Sequence, residues 1–128
     1  MYTVYTNLAD LARARYISLT TRRRDGSLAS TPVWVVSDDG RRLLVWTHAT
    51  TWKVRRIRRD PRVLVAESNY RGRERGPRLE GTAQLVDNVD VQQLIREKYG
   101  WQKRLLERLA RGKPDTSVTI AIVENALN

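Results

Sequence analysis

Asp25-Gly26 follows a segment, Arg15 to Thr21, in which Ile17 and Leu19 fall on the face opposite Tyr16 and Ser18. Alternation with a period of two is what a half-buried strand needs, and an Asp-Gly step supplies the positive φ that a tight hairpin demands. From its first third the chain is thus committed to antiparallel pairing, with Leu28 to Val36 as the returning strand. Asp38-Asp39-Gly40 makes a second hairpin turn leading to a strand at Leu43 to Thr47. Strands at Val63 to Ser68 and Leu79 to Val86 are joined through R-G-R-E-R-G-P-R, expected to be a mobile hairpin tip. Pro32 lies inside the second strand and removes a ladder donor, so it is predicted at an edge, a bulge, or a place where something other than a strand approaches the backbone.

Helical spacing is confined to three places. Asn7 or Asp10 opens a short stretch to Arg15, with Leu8, Leu11 and Ala12 on one face. Val91 to Arg111 carries one apolar stripe of Val91, Leu94, Ile95, Tyr99, Leu105, Leu106 and Leu109, with Asp90 as its cap. Gly100 inside that stripe costs about 1 kcal/mol relative to Ala and is predicted to mark a kink or a close contact. After Gly112 and Pro114, the alternation of Val118, Ile120 and Ile122 predicts a last strand. Six strands, mostly joined by hairpins, with one long helix near the end, argue for a mainly β single domain over residues 1–128: a small antiparallel barrel of Greek-key type with flanking helices.

Composition removes several kinds of chemistry. The 128 residues include no cysteine and one histidine, His48, which disfavours thiolate chemistry and multi-histidine metal sites. No G-x-S-x-G elbow, G-x-G-x-x-G or G-x-x-x-x-G-K-[ST] run occurs, so a nucleophile-elbow hydrolase and Rossmann or Walker nucleotide sites are not supported. The N-terminus has no basic region followed by an apolar core, and no apolar run is long enough for a bilayer, which predicts a cytoplasmic protein. Lys and Arg outnumber Asp and Glu by 24 to 14, giving a formal charge of +10, and such an excess favours an anionic partner. Of the basic clusters, Arg22 to Arg24 and Arg71 to Arg78 flank turns and read as solvated loop tips.

The third helical stretch lies in V-W-T-H-A-T-T-W-K-V-R-R-I-R-R-D-P-R-V, Val45 to Val63, where a strand end runs through a Thr-rich loop into a short basic helix stopped by Asp60-Pro61. The first N–H groups of a helix have no intrahelical partner and carry partial positive charge, which suits a phosphate. Thr50 or Thr51 can cap that end, and their hydroxyls, with that of Thr47, can instead donate to phosphate oxygens. Lys53 adds a full charge from the first turn. The plainer alternative is a capped surface helix with a solvated basic face.

These runs, A-R-Y-I-S-L-T-T-R-R-R-D-G-S-L-A-S-T-P-V-W-V-V, then L-L-V-W-T-H-A-T-T-W-K-V-R-R-I-R-R-D-P-R-V, then L-E-G-T-A-Q-L-V-D, resemble the split-barrel flavin/deazaflavin oxidoreductases, the pyridoxamine-phosphate-oxidase-like proteins. The branch that looks closest uses the deazaflavin coenzyme F420. The resemblance implies a cofactor phosphate held by Thr47, Thr50, Thr51 and Lys53, with Arg56 nearby, and a tricyclic ring lying against Thr31, Pro32, Val33 and Trp34. It also implies a homodimer with the cofactor at the subunit interface, the Glu80 to Ala83 strand coming from the second subunit. The activity implied is hydride transfer between F420 and an unsaturated or conjugated small molecule. FMN on the same fold is the alternative cofactor, and a non-catalytic cofactor carrier the alternative role; nucleic-acid binding is disfavoured. The chain ends I-A-I-V-E-N-A-L-N, without the basic C-terminal motif of the pyridoxine-phosphate oxidases themselves, which argues against that activity.

Overall fold

The computed structural model describes residues 7–87, 89, 91–100, 102–104 and 117–124. A 3-10 helix, Ala9–Arg13, precedes strands β1 (Tyr16–Arg22), β2 (Leu28–Val33) and β3 (Leu43–His48). Helix α1 (Trp52–Arg59), strands β4 (Arg62–Ser68) and β5 (Leu79–Val86), helix α2 (Val91–Tyr99) and strand β6 (Ser117–Glu124) follow. The strands form one six-stranded sheet of order β2-β1-β4-β5-β6-β3, antiparallel at every pairing.

Side chains alternate across the strands and so divide the apolar residues between the two faces. Ile17, Leu19, Val33, Leu43, Val45, Val63, Val65, Ala83, Ile120 and Ile122 form the inner core, joined by Leu8 and Leu11 near the N-terminus and by Val54 and Ile57 of α1. Burying each Val, Leu or Ile there stabilises the fold by about 1.5–3 kcal/mol. The outer face carries a smaller cluster in which Val91, Ile95 and Tyr99 of α2 pack on Val36, Leu44 and Ala121.

The sheet curls until its two edge strands approach each other. Beyond the end of β2, Val36 donates to the Leu44 carbonyl at 3.0 Å and accepts from the Leu44 N–H at 2.7 Å. Apart from that bridge β2 and β3 do not pair, so the barrel is split along this line. Pro32 sits in β2, opposite Ser18 of β1 and with no ladder on its other side, as its missing N–H requires.

Local chemistry explains the boundaries. Asn7 Oδ1 accepts the Asp10 N–H at 3.0 Å and so opens the 3-10 helix, and Asp25 Oδ1 accepts the Ser27 N–H at 2.9 Å in the first hairpin. Helix α1 ends where Asp60 leaves helical geometry ahead of Pro61, and the Asp60 carboxylate pairs with Arg62 at 2.8 Å. That guanidinium holds the Asp60 carboxyl down at about 2.

Expectations change at the end of β2 and in the tip after β4. Leu28 to Val36 is not one strand: the ladder stops at Val33, and the following residues leave it for the bridge with Leu44. The helical stretch from Val91 is interrupted at Gly100, where the sequence predicts a kink or a close contact: α2 ends at Tyr99, Gly100 takes φ +52°, and residues 102–104 are helical again. Asp90 and residues 105–116 lie outside the described residues. The Arg/Gly tip after β4 is tied down instead of free. Asn69 Oδ1 accepts the N–H groups of Arg71 at 2.9 Å and Arg73 at 3.0 Å, and Arg75 donates to the Glu67 carbonyl at 2.8 Å.

Candidate functional site

Where β2 and β3 fail to pair, a cleft of about 230 Å³ opens, lined by Pro32, Val33 and Trp34 on one side and Trp46, Thr47 and His48 on the other, with Lys53 of α1. The split therefore brings together four of the residues singled out from the β2 run and the basic helix, Pro32, Val33, Trp34 and Lys53, with Thr47 beside them. Pockets for small ligands commonly occupy about 300–1,000 Å³, so this cleft lies below the lower end of that range.

Lys53 is the chemical centre of this cleft. It is half-buried, and among the described residues no acid pairs with it. Desolvation holds its ammonium below the ordinary lysine value. A cation withdrawn from water without a counter-charge is favourably placed for an incoming anion, since one phosphate oxygen restores what burial removed. Helix α1 adds to this effect: its first turn has no acidic residue, and no side chain caps it.

The capping expected of Thr50 or Thr51 does not occur. Thr51 is the residue before the helix, yet its hydroxyl donates to the His48 carbonyl at 2.9 Å, which leaves the first-turn N–H groups without a side-chain acceptor. Thr50 is exposed, and neither threonine lines the cleft. Thr31 is half-buried in β2, opposite Leu19, and also does not line it. Nor does Arg56, whose guanidinium lies 6.0 Å from the centre of the exposed Trp52 ring, with that of Arg55 at 5.0 Å. Arg59 is drawn off to the Arg22 carbonyl at 2.6 Å. The basic residues of α1 thus diverge, and only Lys53 of that helix turns into the cleft.

Two cleft residues were weaker candidates from the sequence. Trp46, which reads equally well as core, is half-buried and lines the cleft, and His48, which reads as a partly exposed loop residue, is the exposed end of β3. Behind them stand residues that carried no signal of a role here. Tyr99 stacks on Trp34 with ring centres 4.4 Å apart and planes 10° from parallel, and Lys103 Nζ lies 4.6 Å from the centre of the Trp46 ring. A Tyr in an apolar stripe and a Lys one turn later look like an ordinary helix.

A six-stranded antiparallel barrel, split between its edge strands, with an aromatic cleft and one half-buried cation at the split, defines a split-barrel cofactor-binding fold. The family described as pyridoxamine 5'-phosphate oxidase matches residues 7–127, and the chain belongs to that family. Among solved structures it is similar to a conserved hypothetical protein from Mycobacterium tuberculosis, with 23% identity and a TM-score of 0.67 over 98% of this chain and 83% of that one. It is also similar to an F420 reductase, with 20% identity and a TM-score of 0.55 over 96% and 97% of the two chains. A FAD-binding protein from Mesorhizobium loti shares 19% identity at a TM-score of 0.56, over 91% of this chain and 83% of that one. At these identities the likeness is one of fold. No curated protein matches the chain in sequence. No helix among the described residues is long and apolar enough to cross a membrane.

Proposed function

We propose that this protein is an oxidoreductase that uses the deazaflavin coenzyme F420 as hydride carrier to reduce or oxidise an unsaturated or conjugated small molecule. The observation that carries the reading is Lys53, a half-buried ammonium without an acid partner among the described residues, at the rim of a cleft walled by Trp34 and Trp46. A planar ring suits the indoles, and a phosphate suits the cation. The fold, shared with an F420 reductase over nearly the whole of both chains, is compatible with that coenzyme.

In this reading Lys53 and Thr47 hold the phosphate, and Pro32, Val33 and Trp34 bound the ring. The outer edge of β2 faces no ladder partner among the described residues and so can offer backbone groups to the polar rim of the ring. Thr31, Thr50, Thr51 and Arg56 take at most an outer place, since none lines the cleft. When bound, the coenzyme supplies the hydride chemistry, and the protein contributes position, exclusion of water and electrostatics. His48, at the exposed end of β3, also lines the cleft, with Lys53. A second copy of the chain completes a site that one chain only begins, which accords with the small volume of the cleft.

FMN is the second reading, and a specific observation favours it. The arginines beside Lys53 point elsewhere, to Trp52 and to the Arg22 carbonyl, so a single phosphate meets a single cation. Titrating the protein with F420 and with FMN, at moderate and at high salt, while following tryptophan fluorescence, separates the two. Tighter F420 binding that survives salt supports the first reading. A preference for FMN moves the protein to the second, and binding of neither removes both.

A further inference from the structure

Each tryptophan of the cleft is held by a residue far away in sequence, and both of these residues come from the helical segment after β5. Tyr99, the last residue of α2, stacks on Trp34 at 4.4 Å, and Lys103, four positions later, sits 4.6 Å from the centre of the Trp46 ring. Both are 1% exposed, so neither can reach a ligand in the cleft directly.

Tyr99 does more than stack. Trp34 and Val35 follow the end of β2, where the ladder no longer fixes the backbone. The Tyr99 hydroxyl takes over: it accepts the Val35 N–H at 2.9 Å and lies 2.8 Å from the Arg15 carbonyl, to which it donates. Lys98 adds to the clamp by donating to the carbonyls of Ala12 at 2.7 Å and of Ala14 and Val35 at 2.6 Å. The wall of the cleft at Trp34 is therefore positioned by side chains of α2, in a place where a strand neighbour would ordinarily do it. Its stacked ring limits the torsions the indole can adopt, and a cation near the other indole favours one placement of that ring as well.

We propose that Tyr99 and Lys103 are positioning residues that set how tightly the cleft grips a flat ring, Tyr99 through Trp34 and Lys103 through Trp46. This rests on the reading that the cleft takes a tricyclic cofactor. A cleft lined by two indoles binds a flat ring in proportion to how well those indoles are held before the ligand arrives, because ordering them during binding subtracts from affinity.

The test uses the full chain carrying Tyr99→Phe, Tyr99→Leu or Lys103→Met, read in two ways at a temperature where far-UV circular dichroism shows each variant folded. Without ligand, near-UV circular dichroism reports the order of the indoles. With ligand, the Kd for FMN and for F420 is measured. Tyr99→Leu and Lys103→Met are expected to reduce the near-UV signal and to raise Kd roughly 3- to 10-fold. Tyr99→Phe keeps the ring and loses the hydroxyl, so it should fall between Tyr99→Leu and the unaltered protein. If Tyr99→Leu does not fold, Tyr99→Phe and Lys103→Met decide. Folded variants with unchanged Kd, beside an unaltered protein that binds, overturn the positioning role and leave the functional reading standing. An unaltered protein that binds neither ring overturns the functional reading and the inference with it.

Discussion

Gly72 lies against the ring of Pro32 so closely that a Cβ on Gly72 would stand 3.2 Å from Pro32 Cδ, and the residue holds φ at +88°. The tip after β4 is thereby pressed against a residue of the cleft, which makes a remote hairpin part of its support. Gly72→Ala meets two obstacles at once, a left-handed backbone and a tight contact. The backbone alone costs roughly 1–2 kcal/mol. The expected outcome is a loss of stability of about that size in urea unfolding, together with weaker binding of the cofactor through the displaced Pro32. Full stability in Gly72→Ala would show that the turn can be rebuilt without Pro32.

Lys53→Met separates binding from folding. The substitution keeps the aliphatic stem and removes a half-buried charge that no acid balances among the described residues, so the melting temperature should stay level or rise. A hydrogen bond to a charged group is worth about 1.5–3 kcal/mol, which corresponds to roughly 10- to 150-fold in Kd for a phosphate-bearing ligand. Isothermal titration with FMN and F420 reads this directly. An unaltered Kd would take Lys53 out of the site.

Much of the barrel can be read from the chain because its signals are local. Alternation at Ile17 and Leu19, the Asp-Gly turn and the proline that cannot donate in a ladder each act within a few residues, and the structure places β1, the hairpin and the edge strand accordingly. The site is less legible because it depends on contacts across the chain. Nothing near Pro32 says that β3 will lie opposite it, and nothing near Tyr99 says that its hydroxyl will replace a strand neighbour at Val35. The basic run of α1 misleads for a related reason: its arginines are adjacent in sequence, but helical geometry fans them around the axis, toward Trp52 and Arg22 as well as the cleft. Thr51 likewise turns its hydroxyl back to donate to the His48 carbonyl, and its oxygen accepts from none of the first-turn N–H groups.

The clamp at the end of α2 predicts a dependence on pH. Burial, with Arg15 nearby, lowers the Lys98 ammonium to about 8 from the ordinary 10.5. Between those values the unfolded chain binds the proton and the folded chain does not, so this group makes stability rise with pH across that window. Tyr99 acts in the opposite sense. Burial pushes its hydroxyl up to about 12 from 10.0, so between those values the folded chain keeps a proton that the unfolded chain loses, and stability falls. The stability of the unaltered protein relative to Lys98→Met should accordingly increase from about pH 8 toward pH 10, as read by urea unfolding at fixed ionic strength. A difference that is flat or decreases over that range would contradict the assignment to Lys98.

Gly81 offers a comparison in which stability changes and the cleft of the same chain does not. It lies in β5 opposite Val63 and Glu124, and a Cβ there would stand 2.9 Å from Ile122 Cγ2 and 3.0 Å from the Val123 carbonyl oxygen. The ladder fixes the carbonyl, and Ile122 is fully buried in the inner core, so neither neighbour can yield cheaply. Overpacking of this kind costs about 1–3 kcal/mol. None of these residues lines the cleft of the same chain, so Gly81→Ala should lower the unfolding midpoint without displacing Pro32, and any change in Kd for FMN or F420 beyond that seen in other destabilised variants would come from the Glu80 to Ala83 strand of a second copy. Measured beside Gly72→Ala, it tests whether weaker binding follows from contact with Pro32 or from any loss of stability: a Kd that rises equally in both variants would mean that the cleft responds to the barrel as a whole, and the special place given to Pro32 would fall.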